Sequence, residues 1–455
     1  MKNAARLHVS LALGLWLAAS ARGGELESYV AAKDDAYAWS IHKTEKLPLG
    51  VELSIVKLTS QRWQGIVWEH WIYLIRPDNV TRPDIGLLVV SGGGIKKTPP
   101  TRAPSEALML ASVAVKMGTS IAVLTQVPNQ PLFGNLKEDA LIAYTFQKFL
   151  ETKDPTWPCL LPMTKSAVRA MDALQEIARQ SHKEELKQFV VTGASKRGWT
   201  TWLTGAVDPR VVAIAPMVID TLNMPKQMPH QVLSFGKYSE EIEDYTRLDL
   251  PGRIAEPSSQ ALMAIVDPYA YRAKLTMPKL VVLGTNDRYW PVDAVKLYFP
   301  ELVGEKLIHH MPNAGHGLGL VAIETVMAFF EMVVAGEKRP RFTWSQTVEG
   351  KDSVLTVTAG DAPLKAEFWR ADSGSRDFRE AKWEAQEFSA SATGSFTRRM
   401  AMPPEGFVAY FARLAYKNSS GRTYHLCTNV EVLGEKAREA KKDAPAAVGG
   451  GAGGK

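Results

Sequence analysis

Hydrophobic and polar positions along this chain change rhythm in distinct blocks. Between Val51 and Ser91, "VELSIVKLTS", "GIVWEHWIYLIRP" and "IGLLVVSGGG" alternate or run β-rich, predicting two antiparallel strands that lead into a buried parallel one. Short apolar runs and helix-period segments then take turns. "TSIAVLTQ", "QFVVTG", "VVAIAPMVI", "PKLVVLGT" and "EKLIHHMP" read as buried strands. "KEDALIAYTFQKFLE", "TKSAVRAMDALQEIARQS", "KRGWTTWLTGAV", "SQALMAIVDPYAYRAKL", "DAVKLYFPEL" and "GLGLVAIETVMAFFEMVV" read as helices. Such alternation predicts an α/β fold, a mostly parallel sheet with helices on both faces.

Two blocks break this rhythm. Residues 221–259, polar, Met-rich and Pro-containing, follow a strand where a lid inserts in such folds. From Phe342 to Leu433 the helical period disappears. Short alternating segments between Gly, Asp, Ser and Pro turns predict a small β-sandwich over 342–434, with a catalytic unit over 25–338 before it. The sandwich is expected to have its own core and to take no part in chemistry. Residues 435–455, charged and then Gly/Ala-rich, are expected to be disordered.

The first residues, "MKNAARLHVSLALGLWLAASARGGE", have a cationic start, an apolar run from Leu7 and small residues before Arg22. They predict a signal peptide over 1–21, cleaved after Ala21, and a secreted or periplasmic protein. An uncleaved anchor is the alternative, against which the run is shorter than the ~20 residues that a bilayer span needs. The formal charge of +6 belongs largely to the two ends, so no basic field marks the body, and nucleic acid is a poor partner. Cys159 and Cys427 are the only cysteines; a bridge between the two units and two buried free thiols are both open.

The chemistry centres on "VVTGASKRGW". Gly193, Ser195 and Gly198 form a G-x-S-x-x-G variant of the strand-to-helix elbow that projects a nucleophilic serine. A serine at a helix N-cap is the plainer alternative. Downstream, Asp287 ends the strand "LVVLGTND", and His316 follows the next strand in the glycine-rich "NAGHGLG". Serine, aspartate and histidine in that order after parallel strands is the order of α/β-hydrolases. Ser195 is therefore the expected nucleophile, His316 the base and Asp287 its orienting acid. Asp220 is a reserve acid, and His309 and His310 fall within a strand.

"SGGGIKK" ends the first parallel strand, and Gly93 or Gly94 together with the amide of Lys196 is expected to form an oxyanion hole. Lys96, Lys97, Lys196, Arg197 and Arg288 fall in loops at the same edge. Lys96, Arg197 and Arg288 are expected to bind an anionic group of the substrate. No zinc site, phosphate loop or dinucleotide fingerprint is found, so neither metal nor cofactor is expected.

The stretches "LTQVPNQPLFG", "EDALIAYTFQKFLETKDPTWPCLLPMTKSAVRAMDALQE", "VVTGASKRGWTTWLTGAVDPRVVAIAPMVIDTLN" and "GTNDRYW" resemble the PhoPQ-activated pathogenicity-related family, which includes an autocrine proliferation repressor. The resemblance implies an α/β-hydrolase with its nucleophile, acid and base at Ser195, Asp287 and His316. "GASKRG" is also similar to the elbow of glucuronoyl esterases, in which a cation follows the serine as Lys196 does here. The expected function is an exported serine esterase acting on a small or glycan-linked ester, with an anionic, uronate-type ester as one candidate. A peptidase, and a binding or signalling protein on a hydrolase scaffold, are the alternatives.

Overall fold

The computed structural model describes residues 24–96, 98–390 and 394–434. The expected signal peptide, Lys97 and the expected disordered tail lie outside the described residues.

Nine strands form one sheet: β1 (Ala38–Leu47), β2 (Val51–Trp63), β3 (Ile66–Pro77), β4 (Ile85–Val90), β5 (Ile121–Leu124), β6 (Gln188–Ala194), β7 (Val211–Met217), β8 (Lys279–Gly284) and β9 (Lys306–Met311). Their order is β1-β2-β3-β5-β4-β6-β7-β8-β9. Pairing is antiparallel from β1 to the β3–β5 junction and parallel from β5 onward. The chain leaves β4 for β5 on one side and later returns to β6 on the other. The carboxyl ends of β4 and β6 therefore bound a topological switch point, where ligands bind in such sheets.

The period of two along each strand divides the core. Leu88, Val90 and Val191 face the helices Glu138–Thr152, Leu160–Ile177 and Lys196–Val207. Leu87 and Val190 face the opposite layer, which holds the helix Leu320–Ala335. Burial on both faces is why these strands read as continuous apolar runs.

Two predicted helices are interrupted. "SQALMAIVDPYAYRAKL" becomes a helix over Pro257–Val266 and a 3₁₀ turn over Pro268–Tyr271, because the residue before a proline avoids the helical region. "DAVKLYFPEL" forms only 3₁₀ turns, Ala294–Leu297 and Phe299–Glu301, around Pro300. The predicted lid is itself helical over Met224–Phe235, with Pro229 inside it.

Eight strands follow: β10 (Phe342–Glu349), β11 (Asp352–Ala359), β12 (Lys365–Ser373), β13 (Glu384–Glu387), β14 (Ser395–Ala401), β15 (Phe407–Lys417), β16 (Thr423–Cys427) and β17 (Glu431–Gly434). β10, β11 and β14 make one antiparallel sheet, and β13, β12, β15 and β16, with β17 on β15, make the other. The expected self-contained core is corrected here. A single apolar cluster runs from Val282 in the main sheet through Phe329 and Phe330 to Phe368, Tyr410 and Leu426 of the sandwich. Glu331, buried on the helix Leu320–Ala335, accepts hydrogen bonds from Asn418, Ser420 and Arg422 across that junction. Cys159 and Cys427 are buried free thiols.

Candidate active site

Ser195 sits between β6 and the helix Lys196–Val207 with φ 58° and ψ −126°. A non-glycine residue in that region costs about 1–3 kcal/mol and persists only where its surroundings enforce it. Here they do. The Ser195 amide donates to the Met217 carbonyl at 2.9 Å. A Cβ on Gly193 would lie 2.8 Å from the Arg197 carbonyl, and one on Gly198 would lie 2.6 Å from Ile219 Cγ2 and 2.9 Å from the Met217 carbonyl. Only glycine lets the helix turn back this tightly, which accounts for both glycines and for the later place of the second.

The other two residues come from neighbouring strand ends. Asp287 follows β8; its Oδ1 accepts from the Tyr289 amide at 2.9 Å, leaving Oδ2 for His316 Nδ1 at 2.8 Å. His316 Nε2 lies 2.9 Å from Ser195 Oγ. Asp287 is buried, whereas His316 keeps 30% of its side-chain surface exposed. The imidazole lies against Tyr289, ring centroids 4.4 Å apart.

Asp220 is placed elsewhere, buried and accepting a hydrogen bond from Tyr298. Burial pushes its carboxyl up to about 7 despite that bond. His309 and His310 are fully buried in β9.

Ser195 and His316 open onto a cavity of about 780 Å³, mouth included. Trp199, Val218 and Ile219 form its floor, and the insertion contributes Met228, Ile242 and Ile254 to its roof. Residues 221–259 thus cover the site as a lid, tied down where Ser239 Oγ donates to the Arg288 carbonyl and Gln231 Nε2 to the Tyr289 carbonyl.

Three of the cations, Lys196, Arg197 and Arg288, have partners of their own. Lys196 Nζ lies 2.5 Å from Asp139 Oδ2 on the cavity wall. Tyr245 and Tyr289 donate their hydroxyls to the same carboxylate at 3.0 and 3.2 Å. Arg197 does not line the cavity: it grips Glu138 through both terminal nitrogens, at 2.7 and 2.6 Å, and donates Nε to the Val127 carbonyl. Burial raises Glu138, but hydrogen bonds and charge from Arg197 outweigh it and hold the carboxyl below its ordinary value. Arg288 lies outside the cavity and bridges Glu240 of the lid to Glu380 of the sandwich. Lys96 borders a separate surface depression with Thr98 and Arg102. Among the described residues, Lys196 is the only one of these cations that lines the cavity, and it is paired.

The glycine loop leaves the sheet beside the elbow, since Val90 pairs with Gly193. Gly92 packs on the Arg197 guanidinium, where a Cβ would meet Nη2 at 2.0 Å, and Gly93 has φ +113°. Lys196 is the first residue of its helix, where amides lack an intrahelical acceptor and the helix dipole favours negative charge.

A model of the family "PhoPQ-activated pathogenicity-related protein" matches residues 26–379. The chain belongs to this family. The match continues past the sheet into the sandwich and ends at Arg379, which holds Glu240 of the lid at 2.8 Å. Autocrine proliferation repressor protein A of Dictyostelium discoideum is 34% identical over 459 aligned residues, 92% of each chain. Among solved structures, an acetyl xylan esterase from Paenibacillus sp. R4 is 15% identical, with a TM-score of 0.51 over 70% of this chain and 93% of its own. A second acetyl xylan esterase, from Thermoanaerobacterium sp. JW/SL YS485, has a TM-score of 0.48 over 69% and 93% of the two chains, at 15% identity. The fold shared with the Paenibacillus structure is that of the α/β-hydrolases, followed here by a β-sandwich.

Asp139, Tyr245 and Tyr289 were not singled out from the sequence. Asp139 and Tyr289 nevertheless stand in two of the stretches that carry the family resemblance, "EDALIAY" and "GTNDRYW".

Proposed function

We propose that this family member is an exported serine esterase, with Ser195 as nucleophile, His316 as base and acid, and Asp287 as the residue that holds His316. The observation that supports it best is the hydrogen-bonded line Asp287–His316–Ser195, at 2.8 and 2.9 Å, opening onto a lidded cavity. With Nδ1–H donating to Asp287, Nε2 is left as an acceptor for the serine proton.

The steps follow from that tautomer. Ser195 Oγ attacks the ester carbonyl carbon as its proton passes to His316 Nε2, and the charge on His316 is balanced by Asp287. The oxyanion is held by the Lys196 amide, with Gly93 or Gly94 as the second donor. Collapse breaks the ester bond, and His316 returns the proton to the departing alcohol. Water then attacks the acyl-enzyme by the same route, releasing the carboxylic acid and restoring Ser195. A cavity roofed by helices suits one arm of a small ester better than a polypeptide running across the site. Export is proposed from the pattern of residues 1–21.

A fluorophosphonate probe tests the assignment, because only an activated serine reacts with it. Labelling of the protein and its loss in Ser195→Ala are expected. An unlabelled protein would favour the signalling role suggested by the name of the Dictyostelium relative, and a labelled Ser195→Ala would move the nucleophile.

A further inference from the structure

The wall of the cavity says what kind of ester fits, provided that the site is the esterase site proposed above. Beyond Ser195 and His316, its charged groups are Asp139 and Lys196, which neutralise each other at 2.5 Å. The hydroxyls of Tyr245 and Tyr289 are committed to Asp139. Thr221 and Ser259 also border it, but their hydroxyl oxygens are shielded, with no partner among the described residues. The rest is aliphatic, aromatic or thioether. Three methionines, Met224, Met228 and Met263, line it, and such side chains adapt to irregular apolar ligands.

A carboxylate or a sugar ring placed there would lose water and meet, as uncommitted donors, only the shielded hydroxyls of Thr221 and Ser259. Desolvating an unpaired polar group costs more than the contacts return. A methylene gains at every step, by about fourfold in affinity when fully buried. The expected anionic, uronate-type arm therefore finds no unpaired cation among the described residues that line the cavity.

We propose that the lidded cavity takes the apolar arm of a neutral ester, a medium-length chain or a ring, and that Ile254 and Met263 at the lid end set how much of it fits. Both side chains are half-buried at the cavity wall, so a larger residue at either takes up space that the ester arm would fill.

The test compares p-nitrophenyl acetate, butyrate, hexanoate and octanoate on the full chain and on Ile254→Trp and Met263→Trp. kcat/KM should climb from acetate to hexanoate by up to about fourfold per methylene. The hexanoate-to-acetate ratio should fall at least about tenfold in one of the tryptophan variants, as several methylenes lose their place. A series that is flat or falls from acetate, or a ratio that neither variant moves, overturns the proposal. Binding gives a readout independent of turnover, because Trp199 and Trp290 border the cavity. In Ser195→Ala, ethyl octanoate should change their fluorescence saturably and methyl glucuronate should not. Octanoate binding by a protein that no fluorophosphonate labels would uphold the cavity and remove the esterase. Labelling with a flat ester series and no octanoate binding would uphold the esterase and remove this proposal.

Discussion

Asn313 and Trp383 exchange two hydrogen bonds, Asn313 Nδ2 donating to the Trp383 carbonyl at 2.9 Å and the Trp383 amide donating to Asn313 Oδ1 at 2.8 Å. Asn313 lies just before His316, and Trp383 belongs to the segment between β12 and β13 of the sandwich. The same segment holds the acid loop: Asn286 Nδ2 donates to the carbonyls of Arg379 and Ala381 at 3.1 and 2.8 Å. One segment of the sandwich thus grips the loops of both His316 and Asp287.

This contact predicts that the sandwich positions the site. Misplacement of reacting groups by about 1 Å costs up to about a hundredfold in rate. Asn286→Ala should lower kcat by about ten- to a hundredfold with little change in KM. At Asn313, where φ is 57°, Asn313→Gly removes the bonds without adding backbone strain, and it should do the same. A chain ending after Lys338 should be inactive even if folded. Full kcat in a folded truncation would restore the independence expected from the sequence.

The acid should be Asp287 alone. Asp287→Asn should reduce turnover by on the order of 10⁴-fold, as loss of the orienting acid does in other triads. Asp220→Asn should keep turnover and change stability instead. A carboxyl at about 7 in the folded state, against an ordinary 3.8, binds more protons folded than unfolded between those values. Stability therefore falls as pH rises through that window, by at most about 4 kcal/mol. Denaturant midpoints for Asp220→Asn should exceed those of the parent at about pH 8 and match them near pH 4. A larger loss of turnover in Asp220→Asn than in Asp287→Asn would reverse the assignment.

The parallel strands were legible because buried strands are written as apolar runs, and Ser195, Asp287 and His316, which the structure brings within hydrogen-bond reach, each follow one. β1 was not, because its side chains are mostly exposed and supply no alternation. The lid helix Met224–Phe235 was hidden by Pro229 and by short polar text. Asn286 and Asn313 were not singled out, since their partners lie 70 to 95 residues away in another sheet. The cations misled for a similar reason. Glu138, Asp139 and Glu240, which neutralise Arg197, Lys196 and Arg288, stand in segments whose position over the site only folding determines.

That pairing yields a prediction about charge. With Lys196, Arg197 and Arg288 neutralised, an anionic ester should have no advantage over a neutral one. Comparing p-nitrophenyl hexanoate with the p-nitrophenyl half-ester of a dicarboxylic acid of similar length, the neutral ester should have the higher kcat/KM. Raising the salt should change their ratio by no more than about twofold, the scale of one exposed ion pair. A preference for the anion that salt erodes would show that one of these pairs opens to receive it.

The junction between main sheet and sandwich should fail in acid. His309 and His310 on β9 are fully buried, and β9 packs against β16, which carries His425 and Cys427. Both ring nitrogens of His309 and Nε2 of His310 lack a hydrogen-bond partner among the described residues, and the His309 and His425 rings lie 6.0 Å apart. Burial holds His310 at about 3 and His425 at about 4. It also holds His309 well below its ordinary value, with help from the nearby His425, Arg413 and His310. Arg413 pushes His425 down as well, against Glu367. With folded values depressed, the unfolded chain binds more protons below about pH 6.5, so stability is full above that point and falls as pH drops toward 3. At about pH 5, a histidine with a folded value near 3 contributes a loss of about 2 kcal/mol. His310→Leu keeps the backbone amide that donates to Cys427 Sγ at 3.3 Å and removes the group that titrates. Unfolding free energies from denaturant titration at about pH 7.5 and about pH 5 should differ less in His310→Leu than in the parent, by about that 2 kcal/mol. An unchanged difference would mean that acid opens the protein elsewhere and that the junction tolerates a charged imidazole.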